Sequence, residues 1–196
     1  MIYGSNRSLD IQVDVLKYIL SKSDRIIKIL KIIEECGVNN CYLAAGCINQ
    51  TVFNYYHGYD IDYGIGDYDI VYFDDDLSYE AEDNIIKMIK SKINDDSIVL
   101  DIKNQARVHL WYYEKYGVKR EKYVNVENAI SRWTSTVTCI GVRLEKNKLI
   151  VCAPYGLDDL FNMVIRPVKI DCDKDIYDNK CKKWKGNWPN IEIISW

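Results

Sequence analysis

Apolar residues recur at helical spacing through the first part of the chain, at Leu9, Val13, Leu16 and Leu20 and again at Ile26, Ile27, Leu30 and Ile33. The period predicts a helix from Leu9 to Leu20 and a second that starts at Ser23-Asp24 and stops at Gly37. The pattern then changes. Asn40 to Gly46 is a short apolar run ending in small residues, and Cys47 to Tyr56 returns to helical spacing. Gly66 to Asp75 is β-branched and aromatic with acids at its mouth, and it reads as a buried strand. Ser78 is placed to cap a helix with Glu80 and Glu82 in its first turn, running to about Ile93. Ser97 to Ile102 is the next predicted strand.

Farther on, Asn125 opens a short helix ending near Trp133, and Thr136 to Leu144 with Lys148 to Cys152 alternates as a hairpin. Leu157 starts a helix that Pro167 breaks. From Asp173 the chain reads as a basic helix, with Lys180, Lys182, Lys183 and Lys185, followed by a tail docked by Trp188. No repeat or linker divides the chain. The expected organisation is one domain over residues 1–196, with a helical N-terminal part (1–37), an α/β core (38–170) and a C-terminal helix and tail (171–196).

Side chains alternate faces along a strand, so Asp67 and Asp69 point the same way. Adjacent carboxylates repel and raise each other's pKa unless a cation sits between them. Oxygen ligands of this kind suit Mg²⁺ or Mn²⁺ and hint at metal-dependent phosphoryl or nucleotidyl chemistry. Asp101 stands between two apolar neighbours on the following strand and therefore faces away from them. If the two strands lie side by side, Asp101 reaches the pair, and three carboxylates can hold two Mg²⁺ ions. Upstream, a strand running through Gly46 into a helix presents free N–H groups, an anion site suited to phosphate. Lys103, Arg107 and His109 follow the second strand directly and offer positive charge for phosphates or ion-pair partners for acids; Arg107 reads equally as the salt-bridge partner of a neighbouring acid, His109 as a base or a satisfied core residue, and Arg166 as a further partner for phosphate or acid. The segment from Leu110 to Tyr123 is aromatic and then basic, with Lys115, Lys119, Arg120 and Lys122, as a flap or an acceptor-binding surface would be.

Bulk properties narrow the field. The 196 residues carry a net charge of −3, which argues against a protein whose main task is coating nucleic acid. No apolar stretch approaches the length of a membrane span, and the N-terminus has no signal-peptide pattern, so a cytoplasmic location is expected. The seven cysteines are scattered without Cys-x-x-Cys spacing, and with two histidines they argue for reduced thiols and against a zinc site.

The order of the Gly46 turn, a helix, Gly66-Asp67-Tyr68-Asp69 and then Asp101 resembles the DNA polymerase beta-like nucleotidyltransferase superfamily. Several longer runs, among them Ala45-Gly46-Cys47-Ile48-Asn49, Lys103-Asn104-Gln105-Ala106-Arg107-Val108-His109 and Ala153-Pro154-Tyr155-Gly156-Leu157-Asp158-Asp159, look like one bacterial subfamily of nucleotidyltransferase family proteins. The likeness extends from about residue 41 to about 190. It implies an α+β fold with a mixed twisted sheet, helices packed on it, N-terminal helices and a C-terminal helical tail. It also implies Asp67, Asp69 and Asp101 as metal-binding catalytic carboxylates, with Gly46 at the triphosphate turn. Asn49 stands where the family's turn-helix motif has a basic residue. Asn49, Lys103 and Arg107 complete the expected nucleotide-binding set. The expected activity is Mg²⁺- or Mn²⁺-dependent transfer of a nucleotidyl group from an NTP to a hydroxyl acceptor of unspecified class: small molecule, protein or RNA. The alternative is a non-catalytic nucleotide- or partner-binding module on the same fold.

Overall fold

A computed structural model describes residues 1–117 and 119–196. The first two helices, α1 (Leu9–Leu20) and α2 (Asp24–Cys36), fall where the apolar period puts them. Ser23 caps α2 by accepting from the Ile26 N–H, and Gly37 ends it in the left-handed conformation that glycine adopts without strain. Strand β1 (Tyr42–Ala44) runs into α3 (Gly46–His57), and β2 (Tyr68–Tyr72) into α4 (Tyr79–Ile93), which Ser78 caps. Strand β3 (Leu100–Asn104) is followed by a short 3-10 turn, α5 (Val108–Tyr116) and α6 (Val126–Ile130). The chain is completed by β4 (Gly141–Glu145), β5 (Lys148–Cys152), α7 (Asp158–Phe161), β6 (Val164–Ile165), α8 (Lys174–Asn187) and β7 (Glu192–Ile193).

Strands β1 to β5 form one mixed sheet in the order β3-β2-β1-β4-β5. Within this sheet, among the described residues, only β2 and β3 pair in parallel, and the α4 crossover between them makes that direction possible. The fold is α+β, as the family resemblance implied. One sheet face, with Leu43, Ile70, Ile102 and Val142, packs in the main core with α1 to α4 and with Tyr177, Cys181 and Trp184 of α8. The other face carries Tyr42, Ala44 and Val71, covered by Val126, Ile130, Cys139 and Val168. No described helix is long and apolar enough to cross a membrane.

Several boundaries and one assignment depart from the expected ones. The strand expected from Ser97 starts at Leu100, because Asp95 accepts from the Ser97 backbone and side chain and closes a turn there. The strand expected from Thr136 starts at Gly141. Thr138 Oγ1 donates to the Ser135 carbonyl and accepts from its N–H, so the β-like Thr-Val-Thr alternation is overridden by local side-chain bonds. The helix expected up to Pro167 stops at Phe161, and the chain then forms β6, which pairs in parallel with β7. The aromatic segment after His109 is the helix α5, ended by Gly117.

Candidate active site

The acids are positioned by register. Across β2 and β3, Asp69 pairs with Asp101, and across β1 and β2, Asp69 pairs with Ala44. Paired residues share a face, so both carboxylates point away from the main core. Asn104 fixes this alignment at the far end. Its side chain accepts from the Asp74 and Ala106 N–H groups and donates to the Asp74 carbonyl, while its own N–H donates to Glu82. Asp67 lies just before β2 at the exposed mouth of the strand.

Asp69 is half-buried, and burial is the first cause that lifts its carboxyl from the ordinary 3.8 to about 6; the neighbouring charges of Asp67 and Asp101 lift it further. Lys180 and Lys103 pull the other way. Lys180 comes from α8, and burial lowers its ammonium pKa while Asp69 and Asp67 oppose that shift. Lys103 is ion-paired with Asp101. Beside them, burial pushes the Cys47 thiol well up, so it stays protonated; its Sγ donates to the Ala44 carbonyl at 3.3 Å.

These residues border a cavity of about 250 Å³. Its floor holds Asp69, Asp101 and Lys103; Trp111 and Tyr112 of α5 form one wall, and Lys180 closes part of another. At the turn into α3 it is Ala45, rather than Gly46, that reaches the cavity. Ala45 adopts φ 58° and ψ −129°, a conformation costly for any residue with a Cβ. It is held by its N–H donating to the Ile140 carbonyl at 2.9 Å, and no side chain among the described residues caps α3.

The other expected residues are placed differently. Asn49 is fully buried with its amide against the Ala45 and Gly46 carbonyl oxygens, and the orientation that satisfies the hydrogen bonding turns the amide nitrogen to donate to both at 3.2 Å. It braces the turn from inside. Arg107 is ion-paired with Glu82 of α4, outside the cavity wall. His109 also lies outside it, with a buried Nδ1 that has no partner among the described residues. Arg166 binds Asp159 through Nε at 3.0 Å and Nη2 at 3.2 Å.

Lys180, Asn104, Arg132 and Asp171 carried no signal of a site role in the sequence. Lys180 read as one of four lysines on a basic C-terminal helix. Asn104 lies in the run from Lys103 to His109 with no chemistry of its own to mark it. Arg132 and Asp171 had no motif around them, although Arg120, which joins them at the cavity, belongs to the basic segment already noted.

The all-oxygen donor set of Asp67, Asp69 and Asp101 fits a hard divalent cation, and a cation would relieve the repulsion that raises Asp69. Among the described residues, no group of three or more His, Cys, Asp or Glu side chains is already gathered closely enough to hold an ion. The fit is therefore one of chemistry and shared face.

Residues 31–193 match the family model described as nucleotidyltransferase. The chain belongs to this family. A solved NMR structure described as a CCA-adding enzyme head domain superposes with a TM-score of 0.73 at 24% identity, covering 92% of this chain and 96% of that one. That likeness establishes the nucleotidyltransferase fold. No curated protein matches the sequence.

Proposed function

We propose that this nucleotidyltransferase moves a nucleoside monophosphate from an NTP to a hydroxyl acceptor, with Mg²⁺ or Mn²⁺ and with release of pyrophosphate. The observation that carries the reading is the pairing of Asp69 with Asp101 on parallel neighbours, with Asp67 close enough to raise the Asp69 pKa. Asp67, Asp69 and Asp101 would hold the cation, which when bound supplies positive charge to the triphosphate and to the attacking oxygen. The uncapped start of α3 offers backbone N–H groups to phosphate, and Lys103 and Lys180 add charge beside the acids. Asp101 accepts the proton of the acceptor hydroxyl as its oxygen bonds to the α-phosphorus. The bond from that phosphorus to the bridging oxygen breaks, and pyrophosphate leaves with the electron pair. Positioning and electrostatics supply most of the acceleration in such a step.

The test offers NTPs labelled at the α-phosphate to the protein in cell extract with Mg²⁺ or Mn²⁺ and asks which molecule becomes labelled. Wild type should label an acceptor and Asp69→Asn should not; equal labelling by the two would sink the assignment. A second reading, a binding module without transfer, draws on Asn49, whose buried amide braces the turn where the family motif carries a basic residue. Metal-dependent NTP binding without labelling of any acceptor would favour it.

A further inference from the structure

Part of the cavity wall is positively charged, and the transfer step as described does not use it. Arg120 and Arg132 flank Asp171, with Arg120 Nη1 at 3.3 Å from Oδ1 and Arg132 Nε at 2.7 Å from Oδ2. The three side chains are only 9%, 17% and 11% exposed, respectively for Arg120, Arg132 and Asp171. Two guanidiniums against one carboxylate leave a net positive charge. Glu121, 3.3 Å from Arg132, is 82% exposed and therefore well screened by solvent.

The hydrogen bonding of the cluster is incomplete. Arg120 Nη2 donates to the Tyr112 hydroxyl at 2.6 Å, and the guanidinium lies 4.1 Å from the centre of that ring. Arg120 Nε and Nη1, Arg132 Nε and Asp171 Oδ2 are buried with no aligned hydrogen-bond partner among the described residues. Arg132 does donate from Nη2 to Asp171 Oδ1 at 3.3 Å and from both Nη atoms to Glu121, so it is Arg120 that leaves two buried donors without an aligned partner, and buried charged donors of that kind are costly. A guanidinium fork matches the oxygens of phosphate or carboxylate.

We infer that Arg120 and Arg132 form an anion subsite for the acceptor, so that the molecule receiving the nucleotidyl group carries a phosphate or carboxylate that docks there. The inference rests on the transfer reading above. It assigns the subsite to the acceptor because the donor triphosphate has other partners, the start of α3 with Lys103 and Lys180.

Trp111 and Trp133 line the cavity, so binding to the full chain can be followed by tryptophan fluorescence. The probes are inorganic phosphate, titrated with and without saturating MgATP, and MgATP itself. Phosphate should bind saturably to wild type, and Arg120→Gln should weaken it roughly tenfold or more, the loss of a hydrogen bond to a charged group. Asp171→Asn should tighten it, since the resident competitor loses its charge, and MgATP affinity should be unchanged in Arg120→Gln. Because Asp171→Asn moves affinity in the opposite direction, the test stays decisive if Arg120→Gln folds poorly. No saturable phosphate binding, or equal phosphate affinity in all three proteins, would overturn the subsite. A parallel loss of MgATP affinity in Arg120→Gln would assign the cluster to the donor and overturn the acceptor role. The readout needs no turnover, so these responses in a chain that transfers nothing would count against the transfer reading and leave the anion subsite standing.

Discussion

Asp69→Asn should make the metal-free protein more stable at neutral pH while removing its proposed activity. Asp69 holds its proton more tightly in the folded chain, where its pKa is about 6, than at the ordinary 3.8 of an unfolded chain. Folding therefore takes up protons between these values. The contribution to stability is fully present below about 4, is lost as pH rises through about 6, and stays lost above. At about 1.4 kcal/mol per tenfold change in proton affinity, the loss amounts to about 3 kcal/mol. The attraction of Lys180 and Lys103 is already contained in that figure. Asparagine mimics the neutral acid and escapes the loss, so the variant should melt about 6–12 °C above wild type at pH 7.5, given about 2–4 °C per kcal/mol for a chain of this size. The two should converge near pH 4. Thermal and urea unfolding from pH 4 to pH 7.5, in buffer with a chelator, measures both. A variant no more stable than wild type at pH 7.5, or a difference that does not change with pH, would refute the reasoning. Millimolar Mg²⁺ should then raise the melting temperature of wild type and leave the variant unmoved, because a bound cation stabilises only the state that holds it.

Three other substitutions probe the frame around the acids, each by urea unfolding. Trp188 is fully buried, meets Phe53 edge-on at 5.9 Å and donates from Nε1 to Asn54 at 2.7 Å, so Trp188→Ala should cost about 3–5 kcal/mol. Glu82 pairs with Arg107 and accepts from the Asn104 N–H, with both side chains of the pair under 15% exposed (14% and 13%); Glu82→Ala should cost about 3 kcal/mol by stranding a buried guanidinium. Ala45→Gly should instead stabilise by about 1 kcal/mol, because glycine adopts φ 58° without a Cβ clash.

What the sequence revealed follows from how local each signal is. Helices α1, α2 and α4 were legible because their period and their stops or caps, Gly37, Ser23 and Ser78, lie within a few residues of one another. The shared face of Asp69 and Asp101 was legible by parity alone, once the two strands were supposed adjacent. The turn at 135–139 was not, since a Ser–Thr bond of close range defeated a β-like alternation. Lys180 and the Arg120–Asp171–Arg132 cluster were hidden for another reason. Their partners lie far along the chain, and only the packing of α8 and the segment after α5 brings them to the acids. Arg107 read equally as a phosphate contact or as the partner of a neighbouring acid, and the sequence could not name that acid because Glu82 lies 25 residues away on α4.

The row that crosses the sheet through Asp101, Asp69, Ala44 and Gly141 has a consequence for changes in chain length. The coincidence of the two acids depends on odd and even count within β2 and β3, and the length of the crossover between them does not enter. Residues inserted around the C-terminal end of α4, well away from the Asn104 knot, would leave both carboxylates on the reactive face. A single residue inserted between Asp69 and Tyr72 would turn one acid toward the main core, where Ile70 and Ile102 pack. The acid-bearing edge is thus tolerant of insertion along its longest connection and intolerant of it over a few central positions.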